Sequence, residues 1–514
     1  MEFNKIKNNY DMVVIGGGIT GAGVFFRAAA MGLSVLLLEQ NDFAWGTSSR
    51  SSKMVHGGLR YLKEGKLLMT RDSVTERQRL LSIFPGLVEP LEFIMPVYKG
   101  HGPSKPLMGL GLSLYSLMAL KKQHKGLSRA QTEATVPFIN THNLTGGFIF
   151  GDAQVDDARL VLRIISQGQA LGGTARNYTR VCSVNRDSRN RVAGVTAQDT
   201  DTGKTMEISA PVVINATGAF AEELHPSPEK GLHIRPLRGS HLIFPGQSVP
   251  GDRVISFIHP QDNRPMFIFQ WEGCAVLGTT DVDHGHGLNT EPAIQREEAA
   301  YLMEGADFAM PGLNLDPKTC IASMAGVRPV LSHGGTNASK ESREHVVWED
   351  QGLVTITGGK LTTFNLLARD AIKAAKDYLP ANTQMVDPLG LNIAPNETSS
   401  APSLSATDRR RLYGRYGNGA TDIIESGNDL SHLGTTATLW AELAYAAEHE
   451  QVRHLSDLML RRTRLGILLP QGAKEHLKAV ETICKPLLKW DDQRWLQEKQ
   501  DYLTHWNRHY SSPF

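Results

Sequence analysis

The chemistry legible in this chain begins at Gly16-Gly17-Gly18-Ile19-Thr20-Gly21, a G-x-G-x-x-G run. It follows the apolar stretch Asp11–Ile15, opens an Ala-rich segment, and has an acid, Glu39, eighteen residues after Gly21. In that context a glycine run reads as a dinucleotide-binding turn. Gly16 permits the tight turn. Gly18 lets the backbone approach a pyrophosphate at the positive end of a helix, and Gly21 lets helix and strand pack closely. Glu39 is placed to accept hydrogen bonds from the adenosine ribose. The turn does not by itself separate a nicotinamide from a flavin dinucleotide. Just downstream, Thr47 to Tyr61 (TSSRSSKMVHGGLRY) is dense in small hydroxyls, glycines and cations, with His56, Arg60 and Tyr61 beside paired glycines.

These residues need a frame. Asp11–Ile15 reads as a strand stopping at glycine, Ile19–Met31 as a helix, and Leu33–Leu38 as a second strand ending at Glu39. Pro211–Asn215, running into Ala216-Thr217-Gly218, and Leu353–Thr357, running into Gly358-Gly359-Lys360, read as further strands of the same layer. A helix follows from Leu361 to Tyr378. Met266–Gln270 and Cys274–Leu277 read as paired strands around Gly273. The expected architecture is α/β plus α: a discontinuous, Rossmann-type doubly wound dinucleotide domain, an antiparallel-sheet substrate domain and a C-terminal all-helical domain. The expected boundaries are 1–75, 150–225 and 318–380 for the first, 76–149 and 226–317 for the second, a linker over 381–405, and 406–514 for the third.

The composition narrows the partners. Lys+Arg number 54 and Asp+Glu 53 in 514 residues, so the net charge is +1. A near-neutral chain gives no bulk reason to expect nucleic acid, and an anionic ligand must be held by locally placed cations. The four cysteines, Cys182, Cys274, Cys320 and Cys484, form no C-x-x-C pair, which argues against a metal, an iron–sulfur cluster or a thiol redox pair and fits a reducing compartment. The polar N-terminus lacks the apolar region of a signal peptide. The longest nearly apolar run, Leu107–Leu120, is flanked by Lys105 and Lys121-Lys122 and falls short of the ~20 residues that span a bilayer. It reads as a core helix or, alternatively, as an interfacial helix anchored by the basic pair.

The Thr47–Tyr61 segment resembles the FAD-dependent glycerol-3-phosphate dehydrogenases of the D-amino-acid-oxidase-like flavoproteins. Further matches follow in that family's order: VDDARL (Val155–Leu160), NATG (Asn215–Gly218), RGSHLI (Arg238–Ile243), GTTD (Gly278–Asp281), GVRP (Gly326–Pro329), SREH (Ser342–His345) and GGKLTT (Gly358–Thr363). Leu460–Gly466 resembles the family's C-terminal helical domain. The resemblance spans nearly the whole chain. It implies non-covalent FAD and oxidation of sn-glycerol-3-phosphate to dihydroxyacetone phosphate, by hydride transfer from C2 to flavin N5. Electrons then pass to a quinone in membrane-associated members or to oxygen in oxidases. It also implies a cytoplasmic protein, peripheral on the inner face of the cytoplasmic membrane, and a homodimer as a family-level expectation.

By the same resemblance, Thr47, Ser48, Ser49, Ala216, Thr217, Gly218, Gly358, Gly359, Leu361 and Thr362 join Gly16, Gly18, Gly21 and Glu39 around the FAD. Ser48 and Ser49 can donate to phosphate or ring atoms. Gly358-Gly359 offers bare backbone, and the helix after it aims N–H groups at the ring edge where charge gathers on reduction. Arg60, Tyr61 and Arg343 are expected on the substrate phosphate, since guanidinium forks match phosphate oxygens. Arg328 and Lys360 are expected at the C1–C2 end, stabilising the developing alkoxide. His56 is the candidate base, because arginine stays protonated and imidazole titrates near neutrality. Thr280 and Asp281 are expected to line the same pocket or orient its cations. Asp156 and Asp157 read as helix-start acids without a chemical role.

Two positions depart from the family's pattern. Asn365 stands where Arg is common, so a cation of the FAD edge is expected to be missing, and Gln270 stands where Pro often precedes Trp271. Both leave room for a changed substrate. The main competing reading is an oxidase of the same substrate that produces hydrogen peroxide. The absence of a long central insertion, which those oxidases tend to carry, favours the dehydrogenase. A related flavin oxidase acting on a different hydroxy or amino substrate would share the cofactor turn, as would a non-catalytic FAD-binding module. Neither accounts for HGGLRYL together with GGKLTT, or for His56, Arg60, Arg328 and Lys360 in one chain.

Overall fold

A computed structural model describes residues 6–63, 65–118, 124–227, 232–285, 287–332, 344–391 and 404–514. Met12–Ile15 and Val35–Leu38 carry no polar side chain and are buried along their whole length, the pattern of parallel strands covered on both faces. They form the middle of a six-stranded sheet. Across it run His345–Asp350, Leu353–Gly358, Val213–Asn215, Met12–Ile15, Val35–Leu38 and Thr174–Arg176. All neighbours are parallel except the first pair. Helices Ile19–Ala30, Asp157–Ala170 and Phe364–Ala374 share one apolar core with this sheet. The four expected strands thus lie side by side although more than three hundred residues separate the first from the last.

The second sheet has ten strands and is antiparallel apart from one pair, Val254–Ile258 beside Val88–Tyr98. One long ladder joins His233–Pro245 to Ala322–Ser332, in register from His233↔Ser332 to Ile243↔Ala322. Pro265–Trp271 and Cys274–Gly278 form the expected hairpin around Gly273. Three boundaries move. Strand Leu144–Val155 stays in the second sheet to residue 155, so 150 is not its edge. Ala322–Ser332 also belongs there rather than to the dinucleotide domain. Only their pairing assigns these strands. The boundary at 75 likewise falls inside a continuous helix, Leu67–Ile83.

Of the expected linker, residues 392–403 lie outside the described residues. Its start is packed rather than loose: Leu389 is buried in the first core, and Asp387 pairs with Arg79 at 2.6 Å.

From 406 onward the chain is helical, ending in Asp492–His509. Much of its docking is electrostatic. Arg461 and Arg462 converge on the buried Asp42, in the turn after strand Val35–Leu38, the latter through Nη1 at 2.6 Å. Arg464 reaches Asp157 at 3.2 Å, and Arg415 reaches Asp156 at 2.6 Å. Asp156 also caps helix Asp157–Ala170, accepting from the Arg159 N–H at 3.2 Å, a contact worth about 1 kcal/mol. The two aspartates read as helix-start acids therefore also join the cofactor domain to the C-terminal domain.

Candidate active site

The dinucleotide turn has the steric form its glycines require. Gly16 has φ +107, and a Cβ there would lie 3.0 Å from the Ala216 carbonyl carbon. A Cβ on Gly21 would collide with the Gly16 carbonyl oxygen, so this residue sets how closely the helix approaches the turn. Ser48 Oγ accepts from the Ile19 N–H at 2.9 Å, crossing the start of helix Ile19–Ala30 beside Gly18. Glu39 accepts from the backbone N–H groups of Gly17 at 2.7 Å and Asn41 at 2.8 Å, which fixes its carboxylate at the strand end. Burial raises the Glu39 pKa, and the two N–H donors oppose that.

From this turn a cavity of about 1550 Å³ runs between the two sheets. Gly16, Gly18, Glu39, Thr47 and Ser48 line one end, followed by Ala216-Thr217-Gly218 and Gly358-Gly359 with Leu361 and Thr362. Gly358 (φ +81) and Gly359 (φ +73) both sit in the left-handed region, so the strand turns sharply into the short helix Leu361–Thr363. Thr362 Oγ1 donates to the His56 carbonyl at 3.3 Å, tying the two glycine-rich motifs together. The bare turn at a helix start, the ribose-side acid and the long cavity fit an FAD. Gly18 and Ser48 would hold its pyrophosphate, Gly358, Gly359, Leu361 and Thr362 its ring, and the bound group would supply a hydride acceptor.

The same cavity also takes charged and aromatic groups from both glycine-rich motifs and from the second sheet. His56, Tyr61, Asp281, Arg328 and Lys360 all line it. Lys360 Nζ stands 4.1 Å from the centre of the Tyr61 ring and donates to Ser73 Oγ at 2.7 Å. Arg328 Nη1 donates to Asp281 Oδ1 at 2.8 Å and its Nη2 to Thr279 Oγ1 at 3.1 Å. A cation held face-on to an aromatic ring and a guanidinium pinned by a carboxylate are both preorganised to receive an anion.

Several expected residues sit differently. Thr280 is absent from the cavity wall: its Oγ1 donates to Glu298 at 2.7 Å and accepts from the Ser240 N–H at 2.9 Å. Thr279, one residue earlier, takes the place beside Arg328. Ser49 is also outside the wall. Its contribution is the carbonyl oxygen, which accepts from Lys53 Nζ and from Arg464 Nη2, both at 2.7 Å. Arg343 lies outside the described residues, as does the side chain of Arg60, whose backbone belongs to the short helix Leu59–Lys63.

Neither departure from the family pattern touches the cavity wall. Asn365 Oδ1 accepts from Arg27 Nη2 at 2.8 Å, so a cation from helix Ile19–Ala30 fills that neighbourhood. Gln270 Nε2 donates to the Val249 carbonyl at 2.7 Å, on the far side of its strand.

The structure also brings in residues to which the sequence assigns no role. His241, inside the RGSHLI motif, is buried behind the wall, with Nε2 3.0 Å from the cavity-lining Ser52 Oγ. Burial pushes its pKa well below 6.5, and the charges of Arg328 and Lys53 push the same way, so the imidazole is neutral. Arg264 also lines the cavity, and its Nη1 lies 3.4 Å from the second oxygen of Asp281. The one available signal for His241 is a histidine entering the otherwise apolar run Leu242-Ile243-Phe244.

Comparison with known proteins agrees with this geometry. Residues 11–369 match the family model described as FAD dependent oxidoreductase, and residues 354–495 match the C-terminal domain of alpha-glycerophosphate oxidase. The chain is 33% identical over 504 residues to glycerol-3-phosphate dehydrogenase 2 of Mycobacterium tuberculosis, covering 94% of this chain and 85% of that protein. It is 31% identical to the aerobic glycerol-3-phosphate dehydrogenase of Bacillus subtilis, covering 95% and 93%. Among solved structures, glycerol-3-phosphate dehydrogenase from Bacillus halodurans complexed with FAD superposes with a TM-score of 0.77 at 27% identity, over 97% of this chain and 95% of that one. Turn, cavity, helical C-terminal domain and near-full-length similarity converge: the chain belongs to the FAD-dependent oxidoreductase family, in its glycerol-3-phosphate dehydrogenase group.

Proposed function

We propose that the protein oxidises sn-glycerol-3-phosphate to dihydroxyacetone phosphate, with bound FAD accepting the hydride from C2 and a quinone taking the electrons onward. The observation that carries this reading is that Lys360, Arg328 and Arg264 all line the cavity opened by the dinucleotide turn, in a chain whose net charge is only +1. Such a concentration of cations suits a phosphate dianion better than the single carboxylate of an amino acid.

In this reading Tyr61 binds the phosphate with Arg60 and Arg343, and Lys360, which packs on the Tyr61 ring, joins them instead of the C1–C2 end. Arg328 orients the C1–C2 end and stabilises charge developing on the C2 oxygen. His56, in the cavity wall, takes the hydroxyl proton. His241, neutral behind Ser52, keeps the wall beside Arg328 free of a further positive charge. Asp281 holds Arg328 in place.

The surface supports the choice of acceptor. Helix Lys105–Met118 exposes Leu107, Leu110, Leu114 and Leu117, and the first three also line the cavity. A leucine stripe leading into the cavity suits a lipid-soluble acceptor and a peripheral seat on a membrane. Among the described residues no helix is long and apolar enough to cross a membrane. Steady-state turnover tests the reading. Glycerol-3-phosphate should reduce a quinone analogue quickly and oxygen slowly, with glycerol inert. Rapid hydrogen peroxide formation would assign the oxidase instead.

A further inference from the structure

Beneath the His56-Gly57-Gly58 turn lies a buried polar cluster that the proposed chemistry does not use. Asp152, near the end of strand Leu144–Val155, accepts from the Gly57 backbone N–H at 3.0 Å. The same carboxylate pairs with Arg77 Nη1 at 2.6 Å and accepts from the Tyr115 hydroxyl at 3.1 Å. Arg77 also donates to the Tyr115 hydroxyl at 2.9 Å and to the Gly151 carbonyl at 3.1 Å. All three side chains are buried, at 7% exposure or less. They come from three elements: Arg77 from helix Leu67–Ile83, Tyr115 from helix Lys105–Met118, and Asp152 from the sheet.

The contact with the turn is tight. A Cβ on Gly57 would lie 2.8 Å from the Tyr115 Cζ and 2.6 Å from the Val74 Cγ2, so the backbone rests directly on the cluster. One turn before Arg77, the same helix offers Ser73 Oγ to Lys360 Nζ at 2.7 Å. Helix Leu67–Ile83 therefore supports two neighbouring parts of the cavity wall, with Ser73 under Lys360 and Arg77 through Asp152 under the turn that carries His56.

We propose that Asp152, Arg77 and Tyr115 are positioning residues that fix the His56–Tyr61 turn against the substrate by holding the Gly57 N–H. The proposal rests on the reading of this part of the cavity as the substrate site. A core ion pair that served stability alone would not need to commit a carboxylate lone pair to that N–H, nor to lie under a glycine that no side chain can replace. Small displacements of positioned groups cost rate steeply, about a hundredfold for 1 Å.

The test uses the holoprotein with Tyr115→Phe, which removes the hydroxyl and keeps the ring. Hydrogen–deuterium exchange over residues 52–62 should accelerate at full FAD content. Anaerobic flavin reduction by glycerol-3-phosphate should slow by about tenfold or more, while reoxidation of the reduced flavin by a soluble dye stays at the wild-type rate. Asp152→Ala should share both defects, and Asp152→Asn, which keeps an oxygen for Gly57, should recover most of the rate. Unchanged exchange, or an unchanged reduction rate, in a variant with full FAD would overturn the proposal. If the wild-type flavin is not reduced at all, the substrate reading fails, and the exchange measurement still decides whether the cluster holds the turn.

Discussion

Asp281 stands between two arginines: its Oδ1 accepts from Arg328 Nη1 at 2.8 Å and its Oδ2 faces Arg264 Nη1 at 3.4 Å. The carboxylate is almost wholly buried, so it is screened little by water and holds Arg328 in one orientation. Asp281→Asn keeps the shape and removes the charge. The expected outcome is a fall in kcat/KM for glycerol-3-phosphate of about tenfold or more, equivalent to about 1.4 kcal/mol, at unchanged FAD content. Arg328→Lys loses the fork and should cost about a hundredfold, mostly in kcat. Wild-type kinetics in either variant would remove Arg328 from the proposed chemistry.

His56 and His241 are separable by substitution. His56 faces the cavity, so His56→Asn should lower the rate of anaerobic flavin reduction by about a hundredfold or more, as loss of a general base does. His241 sits behind Ser52 and is neutral, so His241→Asn should cost less and act through the Arg328 side of the wall. Rapid-mixing measurement of the two variants checks the order. The reverse order would transfer the proton to the Ser52–His241 pair.

The glycine turn makes a prediction with a readout in cofactor content. Gly21→Ala places a methyl against the Gly16 carbonyl oxygen, backbone against backbone, with no flexible side chain to yield. The purified variant should be colourless or unfolded. Gly32→Ala would meet no atom within 4 Å but has φ +77. It should retain FAD at a stability cost of about 1 kcal/mol, seen as a lower melting temperature.

Acid should loosen the C-terminal domain. Burial disfavours the Asp156 charge, yet Arg415, Arg464 and Lys53 outweigh it and hold the carboxyl at about 2, below its ordinary 3.8. A carboxyl whose pKa is depressed by folding stabilises the fold fully above pH 3.8, and that share is lost as pH falls through about 2. The share is about 2 kcal/mol. Denaturant titrations at pH 6 should find Asp156→Asn less stable by about 3 kcal/mol, because Arg415 loses its buried partner. The gap between the two proteins should narrow as pH falls from 4 to 2. A constant gap would show that the pair contributes nothing through ionisation.

The leucine stripe is tested on vesicles. Leu110→Glu and Leu117→Glu, at positions 69% exposed, should leave folding and dye-linked turnover intact and abolish co-sedimentation with anionic lipid vesicles. Undiminished co-sedimentation would place the membrane contact elsewhere.

How much of this is legible in the sequence depends on the distance over which each residue acts. Gly16, Gly18, Gly21 and Glu39 work within one strand–turn–helix–strand unit, and local spacing is enough to find them. The C-terminal helices are likewise a local pattern. Thr279 and Thr280 show where local reading stops. They lie in the link between strands Cys274–Gly278 and Val282–Asp283, and only the folded path of that link decides which threonine meets Arg328 and which meets Glu298. Ser48 and Ser49 divide in a similar way, one facing the cavity and the other anchoring Lys53 and Arg464 through its carbonyl. His241, Arg264 and Asp152 acquire their roles only when strands far apart in sequence are laid together, as when His233–Pro245 pairs with Ala322–Ser332 and brings His241 near Arg328. Asn365 carries the opposite lesson. A missing arginine suggests a change at the FAD edge, but the position is buried against Arg27 and away from the cavity.

The most direct test of the central claim is an anaerobic titration of the holoprotein with sn-glycerol-3-phosphate, following the visible flavin band and assaying product. The expected result is prompt bleaching, with one dihydroxyacetone phosphate formed for each FAD reduced. A flavin that stays fully oxidised at millimolar substrate, while dithionite still bleaches it, would contradict the assignment.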